Sequence, residues 1–272
     1  MKLRIGLFCL LSGLCFTISA MGAGHFGWWW LSGAVVAAAL VPVVRYGPQS
    51  MLAQFATIFL ILVVVGLGCT MSEAVVFFPD TKAQMMAGLA GGSVLYLIAA
   101  AAMAGLAKLL KLSDGGGQEV AHRSALMTIP MILLSGVSYV VYYEIFGAIT
   151  YLGFTKQYYP HAAEQVAAMG AWFFGYQLAR GLLMTLAILP LIYTLRLPRW
   201  QAAIVAGLIV WIVGGAGPLL VPSTMMTGTQ RFIHVIEIMT QNVSLGMTAV
   251  WLLRPKTAKL AGAASMHSVT TA

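Results

Sequence analysis

Charge is what this sequence has least of. Only 8% of its 272 residues are Asp, Glu, Lys or Arg, seven acidic and fifteen basic. A soluble globular chain is about a quarter charged, and so few charges cannot cover a water-facing surface of this size. A disordered chain is excluded as well, since it combines low hydrophobicity with high charge, whereas this one is 60% hydrophobic with a mean hydropathy of +0.90. Cysteine is scarce too. Cys9, Cys15 and Cys69 form an odd set with no CxxC spacing, which gives neither a disulfide framework nor a zinc site. They read as small apolar packing residues.

Other absences narrow the chemistry. The chain has no Walker A loop, no GxGxxG after a strand, no HExxH and no GxSxG, so neither an ATP-driven pump nor a zinc intramembrane protease follows from its residues. A b-type haem held between spans would take two facing histidines, and only His234 falls in an apolar segment. The net charge of +8 comes from basic residues scattered along the chain without a run of five. That pattern excludes a nucleic-acid surface and reads as membrane topology.

What is present is apolar sequence in long stretches. A spanning helix takes about 20 mainly apolar residues, and eight candidate spans stand out at about 4–24, 26–44, 51–76, 85–107, 124–154, 166–195, 201–222 and 232–253. The expected fold is an all-α polytopic bundle of eight transmembrane helices forming one domain over 1–253. A short polar tail, 254–272, reads as disordered and cytoplasmic.

Orientation follows from the positive-inside bias. With the N-terminus inside, eleven basic residues share the cytoplasmic side: Lys2, Arg4, Arg45, Lys108, Lys111, Arg123, Arg196, Arg199, Arg254, Lys256 and Lys259. Three, Lys82, Lys156 and Arg231, share the other, and Arg180 lies within a span. Both termini are therefore expected inside, in a bacterial inner membrane. Residues 1–24 also resemble a signal peptide, with Lys2 and Arg4 before an apolar run and small residues at Ala20 and Ala23. Retained span and cleaved leader both remain open.

Ionisable side chains inside spans are costly and usually face a protein interior or a cavity. Here they cluster. In the last span Gln230, His234, Glu237, Gln241, Ser244 and Thr248 recur at steps of three and four, which places them on one helix face. His234 and Glu237 are also a candidate metal pair, with Glu73 and Glu144 as further carboxylates. Arg180, half-way along the sixth span with Gln177 one turn before it, stays charged when buried and needs a carboxylate or water. Glu144 and Glu237 are its expected partners, because Glu73 reads as an interfacial, solvated residue. The run Gly214-Gly215-Ala216-Gly217-Pro218 is expected to interrupt regular helical hydrogen bonding.

The expected site is a polar pocket lined by Glu73, Glu144, Gln177, Arg180, His234, Glu237 and Gln241. Three functions fit it. The first is a small-solute or ion transporter, proton-coupled or not. The second is a membrane enzyme or redox subunit binding a metal, a quinone or a lipid. The third is a non-catalytic assembly protein. The expected partners are the lipid bilayer, a small solute or proton, and a protein partner or second copy.

Overall fold

The computed structural model describes residues 1–19, 24–78, 80, 82–115, 120 and 122–255. The tail beyond residue 255 and residues 20–23, where a leader peptide would be cleaved, lie outside the described residues.

In a bilayer every backbone polar group has to be satisfied internally, which leaves an apolar chain the helix or the closed barrel. This chain takes the helix, and no strand occurs among the described residues. The elements are α1 (Lys2–Phe16), α2 (Phe26–Tyr46), α3 (Met51–Phe77), α4 (Lys82–Leu109), α5 (Ala125–Thr155), a short α6 (Ala162–Met169), α7 (Ala171–Thr194), α8 (Arg199–Leu220) and α9 (Gly228–Leu253). Six of them, α2 to α5, α7 and α8, are long and apolar enough to cross a membrane. The protein is thus a helical membrane bundle. Of the two remaining long helices, α1 has only 15 residues. The 26-residue α9 carries Arg231, His234 and Glu237 among several amides.

Polar starts fix two of the helices. Ser50 accepts from the Ala53 backbone at 3.1 Å to open α3. Thr227 and Gln230 form a reciprocal capping box at the head of α9, at 2.8 and 3.3 Å, so Gln230 serves backbone donors that have no partner within the helix.

Glycine sets the tightest crossings. On Gly246 of α9 a Cβ would stand 2.6 Å from the Gly207 Cα of α8, so backbone lies on backbone there. On Gly181 of α7 it would stand 2.6 Å from the Tyr139 Cβ of α5. Close approach of this kind is how small residues hold membrane helices together.

Three helices widen into π turns, α3 over Ile61–Gly68, α5 over Tyr151–Thr155 and α8 over Ile212–Ala216, and those of α3 and α8 pack on each other. A Cβ on Gly66 or on Gly214 would lie 3.0 Å from Val213 or Val65 of the facing turn. The interruption expected near Gly214–Pro218 is therefore a wider turn in a continuous helix, not an unwound segment. Neighbouring side chains make this tolerable. Pro218 cannot donate to the Gly214 carbonyl, and the Thr70 hydroxyl donates to it at 3.4 Å. The Gly217 carbonyl likewise accepts from the Ser32 hydroxyl at 2.8 Å.

Arginines close one end of the bundle. Arg254 donates to the carbonyls of Ile192 at 2.6 Å and Leu197 at 3.0 Å, and also to Leu195. Arg123 donates to Leu252 at 2.7 Å, and Arg199 to Trp251. Arg196 bonds the carbonyls of Asp114 and Gly115 at 2.6 and 2.9 Å. Three of these acceptors, Ile192, Trp251 and Leu252, are among the last carbonyls of α7 and α9, where a cation also meets the negative end of the helix dipole.

A buried ionic cluster as candidate functional site

On α7, Gln177 and Arg180 lie three residues apart and so share a face. Gln177 is fully buried and Arg180 is 8% exposed. The guanidinium remains charged in any protein environment, so it requires a counter-charge. It finds one across the bundle in Glu73 of α3, to which Nη2 donates at 2.8 Å. Nη1 donates to the Gln177 side-chain oxygen at 3.1 Å. The second Glu73 oxygen accepts from the Tyr143 hydroxyl of α5 at 3.0 Å.

Aromatic faces complete the surroundings. The guanidinium carbon lies 5.7, 5.9 and 5.8 Å from the ring centres of Tyr139, Tyr143 and Tyr176, within range of cation–π attraction. Tyr176 is anchored in turn by Ser72, hydroxyl to hydroxyl, at 3.0 Å.

The pairing corrects the expectation that Glu144 or Glu237 would neutralise Arg180. Glu73 sits near the end of its helix, but its side chain is only 26% exposed. The short helix α6 touches that end, where Gln165 donates to the carbonyls of Val76 and Phe77 at 3.5 and 3.4 Å. A long arginine side chain does the rest, because it carries its charge away from the level of its own Cα.

A second pair lies on α9. His234 Nδ1 stands 3.0 Å from Glu237 Oε2, and both side chains are largely buried. The Tyr159 ring, from the segment before α6, packs 5.9 Å from the His234 ring. The α5 backbone approaches this pair at Gly147, where a Cβ would lie 3.8 Å from Glu237 Oε1 and 3.9 Å from Gln241 Nε2. Further along the same interface the Tyr142 and Thr248 hydroxyls meet at 2.8 Å. The two pairs are not isolated. Tyr143 of α5 bonds Glu73 of the first pair, and Gly147, one turn further along the same helix, adjoins Glu237 of the second.

Of the seven residues singled out from sequence, Glu73, Gln177 and Arg180 form one group and His234 and Glu237 another, with Gln241 beside the second. Glu144 joins neither, and its Oε1 is buried without a hydrogen-bond partner. Within the seven, three buried donors share that condition, Gln177 Nε2, Arg180 Nε and Gln241 Nε2, as does the Tyr159 hydroxyl beside His234. Among the described residues no group of three or more His, Cys, Asp or Glu could hold a metal, so His234 and Glu237 stand as a pair of donors only. Surface depressions of about 460 and 350 Å3 occur beside Lys108 and Lys111 and beside Tyr46 and Trp200, and no residue of the cluster lines either.

Sequence reasoning missed Tyr139 and Tyr143. The signal was there, since they lie four apart on α5 and so share its face, each presenting an aromatic plane with a polar tip. No protein-family model matches the sequence, and neither a curated protein nor a solved structure shows a significant likeness to it.

Proposed function

We propose that this protein is a proton-coupled transporter of a small solute or ion. In this reading it crosses a bacterial inner membrane eight times, with α1 and α9 as spans and both termini in the cytoplasm. The orientation rests on the eleven-to-three distribution of lysine and arginine, and the interior position of α9 on its polar face turned toward α5.

One observation carries the functional reading. Four helices, α3, α5, α7 and α9, bring a cation, two paired carboxylates and a histidine into the interior of a bundle whose apolar side chains could otherwise fill it. Burying ions costs several kcal/mol each even after relaxation, and an apolar core of the same volume is often at least as stable. Intramembrane carboxylates and histidines are the groups that relay protons in pumps and transporters. Arg180 would hold an anionic group or the carboxylates, and the carboxylates with His234 would exchange and relay protons.

The test is flux. Purified protein in liposomes carrying an internal pH dye is expected to move protons when its solute is supplied under a gradient. Arg180→Ala and Glu237→Gln are each expected to abolish that movement while the protein remains helical and monodisperse. Undiminished flux in both variants would refute the proposal.

A further inference from the structure

We infer that the solute is a small monocarboxylate, which displaces Glu73 from Arg180 and enters together with one proton. The inference rests on the transport reading and gives it a substrate class and a stoichiometry.

It begins with how Arg180 is held. A guanidinium offers a carboxylate two parallel donors along one edge, and bidentate binding across that fork is the strong, geometrically specific arrangement. Glu73 engages Nη2 alone, at 2.8 Å. The neighbouring Nε on that side is buried and has no acceptor. Gln177 adds a further donor. Its oxygen is committed to Nη1, which fixes the amide orientation and leaves Nε2 buried without a partner on a fully buried side chain. Donors left unsatisfied in an interior are costly. The cluster therefore has more donors than Glu73 can use, and the ligand that completes it is rich in acceptors.

Shape and charge narrow the class. Two oxygens in one plane span Nε and Nη2, which a halide ion cannot do. Neither of the two depressions described above adjoins the cluster, and the head group takes the place of the Glu73 carboxylate itself. Glu73 is the wetter partner of the pair, at 26% against 9% for Arg180, and it is the one free to swing away. The groups facing it are Arg180, Tyr143, Tyr139, Tyr176, Cys69 and His234. Arg180 is the fixed positive charge among them.

Charge balance sets the stoichiometry. Arg180 and Glu73 together are neutral. A second carboxylate at Arg180 would leave one anion without a counter-charge in a medium that penalises it heavily. Glu73 therefore accepts a proton from the outer solution, forming one O–H bond as its bond to Arg180 breaks, and the incoming carboxylate takes that guanidinium. The site is neutral before and after, and release on the far side reverses both steps.

Formate is the smallest carboxylate and serves as the probe. Calorimetric titration of detergent-purified protein, in two buffers of different ionisation enthalpy, reads affinity and proton uptake together. Wild type is expected to bind formate with uptake of one proton and to show no response to chloride at equal ionic strength. Glu73→Gln, which keeps the shape and removes the competing charge, is expected to bind formate roughly tenfold more tightly with no proton uptake. Arg180→Lys, which keeps the charge and loses the fork, is expected not to bind it. Binding without proton uptake in wild type, or equal responses to formate and chloride, would overturn the inference, as would unchanged proton uptake in Glu73→Gln. Formate binding with one proton but no formate flux in liposomes would remove the transport reading and leave the site. Proton-coupled flux of another solute, without formate binding, would remove the carboxylate and leave transport.

Discussion

Arg180 and Glu73 make a pair whose members cannot be judged singly. Removing one partner of a buried ion pair leaves the other uncompensated, a loss of about 3–5 kcal/mol, whereas replacing both with apolar or neutral groups of similar volume is often close to neutral. Arg180→Met is accordingly expected to lower the melting temperature of the purified protein sharply, and Arg180→Met with Glu73→Gln to restore most of it. Equal losses in the single and double variants would show that the pair contributes nothing as a pair. The participants in this cluster were legible in the sequence, because an arginine and glutamates in apolar stretches announce themselves by their cost. Their pairing was not. Which carboxylate meets Arg180 depends on the relative height of α3 and α7, and sequence position within a span says little about that. The tyrosines were passed over because in a chain this apolar an aromatic side chain looks like ordinary packing.

Helices α3 and α8 show how local sequence is reshaped by its neighbours. The glycine-rich run before Pro218 announced an irregularity. Its form, a π turn, depends on the facing turn of α3, where Ile61–Gly68 carries no proline at all. Nothing local in that stretch marks it as irregular. The small-residue crossings are equally non-local. On Gly246 any side chain must displace the backbone of α8, whereas Gly6 on α1 has nothing within 4 Å of its Cβ position. Gly246→Ala is therefore expected to cost about 1–3 kcal/mol through overpacking and to lower the melting temperature. Gly6→Ala, a change of the same chemistry, is expected to leave it unaltered or to raise it slightly through better helix propensity. Similar shifts for both would mean that the crossing of α8 and α9 yields more readily than its geometry implies.

For the whole molecule, composition pointed to a membrane, and the length of the apolar stretches pointed to helices, because a barrel strand crosses with only about 9–11 alternating residues. The number of spans is harder to read. The 15 residues of α1 are short for a crossing, and the polar face of α9 lowers its hydropathy below that of the other long helices. Orientation was read from lysine and arginine, yet Arg123, Arg196, Arg199 and Arg254 are held by carbonyl groups, some of them at helix ends. Arg231 does the same at the opposite end, toward Leu219 and Leu220 at 3.5 and 3.4 Å. Basic residues here close helices as well as carrying charge. A reporter enzyme active only outside the cytoplasm, fused after Ala272, is expected to stay inactive, and a fluorescent protein at the same place to fluoresce. The reverse result would invert the proposed orientation.

The small helix α6 lies over the end of α3 where Glu73 is found, fastened there by two long contacts from the single side chain Gln165. Beneath it the charges are held by shorter bonds from three helices. This grading of strengths has a kinetic meaning. Under the proposed transport function the cover would be the cheap part to open and the ion pair the expensive part, so the slow event would be the exchange of partners at Arg180. Under that proposal, selection would rest with the charge centre, and α6 would do no more than shelter it.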